Sequence, residues 1–170
     1  MGMMSEIENR VSCRDFDSKE VNKTQIDNIL NAGRLAPSAK NRQPWRFILI
    51  SDSEVKKTVL DACYGAESIE SADKIIAVCT TNINYVMPNG QLAHPSDLTF
   101  ASSFMVLQAE HEGLGSCIVT TYNEEILRDL LTIPFSMRVF SLIAIGYKKE
   151  GIEIKHERNT LANICNNEHW

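Results

Sequence analysis

The chain reads as one mixed domain with helices and strands interleaved, and three observations lead there. Three apolar runs of strand length, RFILI at 46–50, KIIAVCT at 74–80 and VFSLIAIGY at 139–147, carry β-branched residues and no sustained helical period. Between them lie segments whose apolar residues recur at helical spacing, several behind a residue able to cap a helix N-terminus. No repeat, low-complexity tract or Gly/Ser-rich linker divides the 170 residues.

Each element has its own signal. Asn22 with Gln25 three residues on resembles a capping box, and Ile26, Ile29, Leu30 and Gly33 then predict a helix over about 24–35. Pro37 and Pro44 remove backbone donors and make 37–44 a loop, after which 46–50 is a buried strand with Trp45 as core. Asp52 or Ser53 caps a helix bearing Val55, Val59 and Cys63, and 74–80 is the second strand. Residues 82–96 hold two prolines and one Asn-Gly and read as a loop or lid. The next helix, 97–112, takes Asp97 as its cap and has hardly any polar face, so it must be buried all round, as a central helix or one continuing into a subunit interface. Gly113 closes it, 116–119 is a short strand, and Asn123 opens a helix with Ile126, Leu127, Leu130 and Leu131 before the strand at 139–147.

Composition narrows the function. With 44% hydrophobic and 23% charged residues the chain is an ordinary globular domain, long enough to need neither disulfides nor a structural metal. Five cysteines, an odd number without a C-x-x-C pair, suit a reducing compartment, and the acidic MGMMSEIENR is no signal peptide, so a cytoplasmic location is expected. Glu6 occupies the position where a myristoylation signal needs Ser or Thr. A net charge of -5, no cluster of five or more Lys/Arg and no apolar run of membrane length argue against nucleic-acid and membrane partners. GLGSCI lacks the third glycine of a dinucleotide turn, and no P-loop, G-x-S-x-G or zinc spacing occurs.

Two stretches carry chemistry. In RVSCRDF, residues 10–16, alternation puts Arg10, Ser12 and Arg14 on one face of an extended segment, a grouping suited to phosphate or an electron-rich ring edge, or simply to water. In APSAKNRQPWRF, residues 36–47, Ser38, Asn41 and Gln43 offer hydroxyl and amide groups from a rigid loop that can both donate to and accept from a heterocycle.

Together these stretches resemble the FMN-dependent nitroreductase family. Its R-x-S-x-R-x-F is similar to Arg10, Ser12, Arg14 and Phe16, and its A-P-S-x-x-N-x-Q-P-W-x-F to Ala36, Pro37, Ser38, Asn41, Gln43, Pro44, Trp45 and Phe47. Gly-Leu-Gly at 113–115, Ile-Gly-Tyr at 145–147 and Arg158 follow in the family's order. The resemblance implies an α+β fold with a central, mostly antiparallel sheet flanked by helices, and an interwoven homodimer holding FMN at its interface. It implies that Arg10, Ser12 and Arg158 hold the phosphate and ribityl chain and that Arg14 approaches the pyrimidine edge. Pro37, Ser38, Ala39, Asn41 and Gln43 would reach in from the other subunit, and Ser116, Cys117 and Ile118 would line the ring, Cys117 as an apolar filler. His156 stands where the family commonly has a lysine, which implies a weaker or pH-dependent clamp. The implied activity is hydride transfer from NADH or NADPH to a nitroaromatic, quinone or similar acceptor by alternating half-reactions, with no catalytic side chain; flavin storage or sensing, flavin cleavage and dehalogenation are the alternatives.

Overall fold

A computed structural model describes residues 2–151 and 157–170. Four strands, β1 (Trp45–Ile50), β2 (Lys74–Thr80), β3 (Gly115–Val119) and β4 (Arg138–Gly146), form one sheet in the order β1-β2-β4-β3, with all three pairings antiparallel. The helices are α1 (Ser5–Asn9), α2 (Lys23–Arg34), α3 (Ser53–Ala62), α4 (Glu67–Glu70), α5 (Ala93–His111), α6 (Glu124–Leu130) and α7 (Leu161–Ile164). The fold is thus α+β, with an open antiparallel sheet.

The two central strands are mostly apolar because both their faces are covered, with Thr80 and Ser141 as their buried polar residues. On β4, Leu142 and Ala144 point into one core with Val59, Ala62 and Leu127, while Ile143 and Ile145 point into another with Ile29, Leu98 and Met105. Period-two alternation therefore divides the interior into an α3/α6 side and an α2/α5 side.

Local chemistry sets the helix ends. Asn22 Oδ1 accepts the Gln25 N–H at 3.0 Å while Gln25 Oε1 accepts the Asn22 N–H at 3.2 Å, completing the expected capping box. Asp52, rather than Ser53, caps α3, and Asn123 caps α6. At the end of α5, Gly113 with φ 74° donates to Glu110 O and Leu114 to Ala109 O, a Schellman closure in which the left-handed residue must be nearly free of a Cβ penalty.

The start of α5 departs from expectation. The helix begins at Ala93, not Asp97, so the preceding loop ends at Leu92 and Asp97 lies inside the helix. Pro95 falls in the first turn, where its missing N–H would have no helical acceptor, and therefore starts the helix instead of interrupting it. Within the chain α5 is not buried all round either, since Phe100 and Phe104 are 46% and 41% exposed.

Helix α2 runs antiparallel to α5. Gln25 Nε2 donates to Glu112 O at the foot of α5, and farther along a Cβ on Gly33 would stand 2.3 Å from Met105 Cε. The N-terminal segment instead packs on the sheet: Cys13 N–H donates to Ser116 O at 2.9 Å and Asp17 N–H to Tyr147 O at 2.9 Å.

A Cβ at Gly146 would lie 2.9 Å from both Cβ and Cδ1 of Phe16, whose backbone is tied down on either side. Gly146→Ala is expected to lower stability by about 1–3 kcal/mol. The check is the urea midpoint, which should fall at unchanged slope; an unmoved midpoint would mean that Phe16 gives way freely.

Candidate functional site

β3 is an edge strand, and the N-terminal segment docks against its open side. Ser12 forms a parallel bridge with Ser116, and Phe16 an antiparallel one with Lys148. This docking opens a cleft of about 340 Å³ lined by Asn9, Val11–Asp15, Lys148 and Lys149. Ser12 and Arg14 both line it, but so do Val11, Cys13 and Asp15, and Arg10 stands just outside it as the C-terminal cap of α1, so the cleft does not reproduce the single face expected for Arg10, Ser12 and Arg14. Ser116 and Cys117 are buried beside the docked segment, and Ile118 is exposed on the strand edge.

Four cations belong to this region, and two of them are neutralised. Lys148 Nζ lies 2.6 Å from Glu110 Oε1 and Lys149 Nζ 2.9 Å from Asp15 Oδ2. Among the described residues, the side chains of Arg10 and Arg14 have no hydrogen bond or ion pair. Such guanidiniums next to a half-buried hydroxyl suit an anion with several acceptor oxygens. Burial raises the Cys13 thiol above its ordinary 9.0, so this cysteine is a neutral wall of the cleft and not a thiolate. The two lysines escaped the sequence reading because they look like the start of a basic tail; only the Phe16–Lys148 pairing brings them here.

The second motif is elsewhere. A 3-10 turn, Ala39–Asn41, forms the tip of the loop, and the buried Asp97 Oδ1 accepts the Ala39 N–H at 2.8 Å. Ser38 Oγ accepts the Gln43 N–H at 2.9 Å, and Gln43 Nε2 donates to Asn41 Oδ1 at 3.1 Å. Lys40, Asn41 and Gln43 have φ of 53°, 53° and 50°, a left-handed run of non-glycine residues that costs about 1 kcal/mol or more at each position. The bonds to Asp97 and Ser38 hold the chain in that shape, leaving Pro37 and Asn41 exposed.

Helix α5 measures the separation. The loop is tied to Asp97 and the cleft to Glu110, thirteen residues apart, which is about 20 Å along a helix axis. One chain therefore carries the two expected half-sites at opposite ends of one rod. Arg158 is exposed and donates to Glu157 O at 3.0 Å, in a segment 157–170 whose residues are all exposed. His156 lies outside the described residues.

Residues 7–95 match the family model described as Nitroreductase family. A protein of Archaeoglobus fulgidus carrying the name NADH dehydrogenase/NAD(P)H nitroreductase is 33% identical over 145 residues, 83% of this chain and 82% of that one. The crystal structure of a nitroreductase family protein from Clostridium difficile 630 superposes with a TM-score of 0.86 at 26% identity, covering 100% of both chains. A structure from Clostridium difficile R20291, described as an FMN-dependent nitroreductase, shares the fold with a TM-score of 0.83 at 24% identity, over 99% of this chain and 100% of that one. The chain belongs to the nitroreductase family and is an oxidoreductase.

Helix α1, which delivers Arg10, is held at a titratable contact: Glu6 Oε1 lies 2.7 Å from His111 Nδ1 on α5. This hydrogen bond pulls the Glu6 carboxyl below its ordinary 4.5 and lifts the His111 imidazole above its ordinary 6.5. The glutamate's contribution is whole above pH 4.5 and fades as pH falls through its lowered pKa; the histidine's is whole below pH 6.5 and fades as pH rises through its raised one. The contact is thus complete between those values. Corrected for intrinsic rates, hydrogen exchange of the α1 amides should be slower near pH 6 than well above the raised His111 pKa, and equal protection would contradict the latch.

Proposed function

We propose that the chain is an FMN-dependent oxidoreductase taking hydride from NADH or NADPH and passing electrons to a small acceptor such as a nitroaromatic or quinone. What carries the reading is the pair of guanidiniums, Arg10 and Arg14, unpaired among the described residues and flanking Ser12 beside an edge strand. The donor set fits the cofactor, because a dianionic phosphate and a ring edge that becomes anionic on reduction both ask for fixed cations and hydroxyls. When bound, FMN supplies the hydride acceptor and electron carrier, chemistry no side chain here can perform.

The protein's part is to bind, orient and exclude water. Arg10 and Ser12, with Arg158 and His156 from the tail, hold the phosphate end. Arg14 faces the pyrimidine edge, and Ser116, Cys117 and Ile118 back the ring. Pro37, Ser38, Ala39, Asn41 and Gln43 belong to the same site but come from a second copy, since about 20 Å of α5 keeps them from the cleft of their own chain. A homodimer is favoured by the exposed Phe100 and Phe104 on α5 and by the terminal segment, where Leu161 and Ile164 are 74% and 66% exposed. One shared pocket makes donor and acceptor bind in turn, so double-reciprocal plots at several fixed acceptor concentrations should be parallel.

The direct test is the absorption spectrum of the purified protein before and after anaerobic addition of NADPH or NADH. Flavin bands that bleach agree with the proposal, and a colourless protein that does not take up added FMN contradicts it. Arg10→Ala is expected to weaken FMN binding by about 1.5–3 kcal/mol, read by quenching of flavin fluorescence. Unchanged affinity would remove Arg10 from the phosphate site.

A further inference from the structure

Lys40 and Arg42 alternate with the loop residues given above to the flavin, and neither has a part in that site. Both are exposed, and among the described residues neither forms an ion pair. Asp97, the carboxylate bonded to this loop, is buried and engages the Ala39 N–H instead of either cation. Both cations converge on one ring: the Arg42 guanidinium carbon sits 3.8 Å from the centroid of Tyr85 and Lys40 Nζ 5.7 Å from it.

Tyr85 is itself held in place. Asn82 Oδ1 accepts the Asn84 and Tyr85 N–H groups at 3.3 and 3.2 Å, and Tyr85 O accepts the Ala93 N–H at 3.0 Å at the start of α5. Thr81 N–H donates to Pro44 O at 2.7 Å, which ties the 81–92 loop to the 37–44 loop. A guanidinium lying over a ring face is positioned by the ring's quadrupole while its N–H edge stays free to donate outward. The result is a pre-set pair of cations, without an ion-pair partner among the described residues, on the rim of the loop that completes the proposed flavin site.

We infer that Lys40 and Arg42, braced by Tyr85, recognise the phosphates of the nicotinamide dinucleotide donor. The inference rests on the flavin reading above. It favours the donor over the acceptor because a dinucleotide carries at least two phosphate charges, whereas quinones and nitroaromatics are largely neutral. Long-range attraction to this pair also gives a polyanion a local target on a chain whose net charge is -5.

The experiment uses the flavin-loaded enzyme and two donors, NADPH or NADH and an uncharged N-alkyl dihydronicotinamide, with one quinone as acceptor. The variant is Lys40→Asn with Arg42→Gln, asparagine being chosen because it tolerates the left-handed φ at position 40. For two exposed charges the expected loss of kcat/KM with the dinucleotide is about 3- to 30-fold. Activity with the uncharged donor and flavin content should stay within about twofold. The wild type's advantage should shrink as ionic strength passes about 0.1 M, where the Debye length is about 10 Å. Unchanged kcat/KM with the dinucleotide, or an equal loss with both donors, would overturn the assignment while leaving the flavin reading standing. A wild-type protein that binds flavin but oxidises neither donor would overturn both.

Discussion

A helix of 19 residues is about 28 Å long and does not shorten, and the organisation of this molecule follows from that rigidity. α5 is held to the docked N-terminal segment through Glu110 and Lys148 at one end and to the strained loop through Asp97 at the other. Each anchor is a carboxylate with a defined partner, and the one at Asp97 is buried, where an unpaired charge would cost several kcal/mol. The antiparallel packing of α2, made close by Gly33 against Met105, carries the loop to the far end and leaves no slack for return. The two stretches proposed to hold the flavin thus face different parts of the surface of one chain.

The same helix explains the distribution of apolar surface. Its inner face packs Leu98, Ala101, Met105 and Ala109 against the sheet, while Phe100 and Phe104 point away from it. Covering an aromatic side chain of that size contributes roughly 1.5–3 kcal/mol, so in the proposed dimer a second copy set against this face would gain from association and bring the other half-site with it. Charge is handled locally in parallel fashion. Lys148 and Lys149 are matched by acidic neighbours, and among the described residues Arg14 is left unmatched at the cleft, so a chain of net charge -5 still offers a free cation there.

Much of this was legible in residue order. Asn22 with Gln25, Asp52, Asn123 and Gly113 mark helix ends because capping depends on a few neighbouring residues, and the apolar runs mark β2 and β4 because both faces of a central strand are covered; the run at 46–50 also marks β1, but as an edge strand with Arg46 and Leu49 exposed it is not the buried strand expected. The start of α5 was misread because Pro95 looks like a breaker wherever it stands, and only the position of the first turn makes it an initiator. Asp97 near a helix start resembles a cap; that it reaches sideways to Ala39 is a tertiary fact. α1, α4 and α7 span too few residues to establish a period. In the site, alternation groups Arg10, Ser12 and Arg14, of which the cleft takes Ser12 and Arg14 together with the residues between and beside them; the docking of Phe16 beside Lys148 and the cations gathered over Tyr85 join residues far apart in sequence, and no local pattern announces such pairs.

The central claim, that each site draws its two halves from different chains, is tested most directly by complementation. One variant carries Arg10→Ala and Arg14→Ala, the other Ser38→Ala and Asn41→Ala, and each alone should be nearly inactive. Refolded or co-expressed together, they should regain activity, since the mixed dimer then contains one site with an intact cleft and an intact loop. If the mixture is no more active than the two variants measured separately, both halves act within a single chain and the account is wrong.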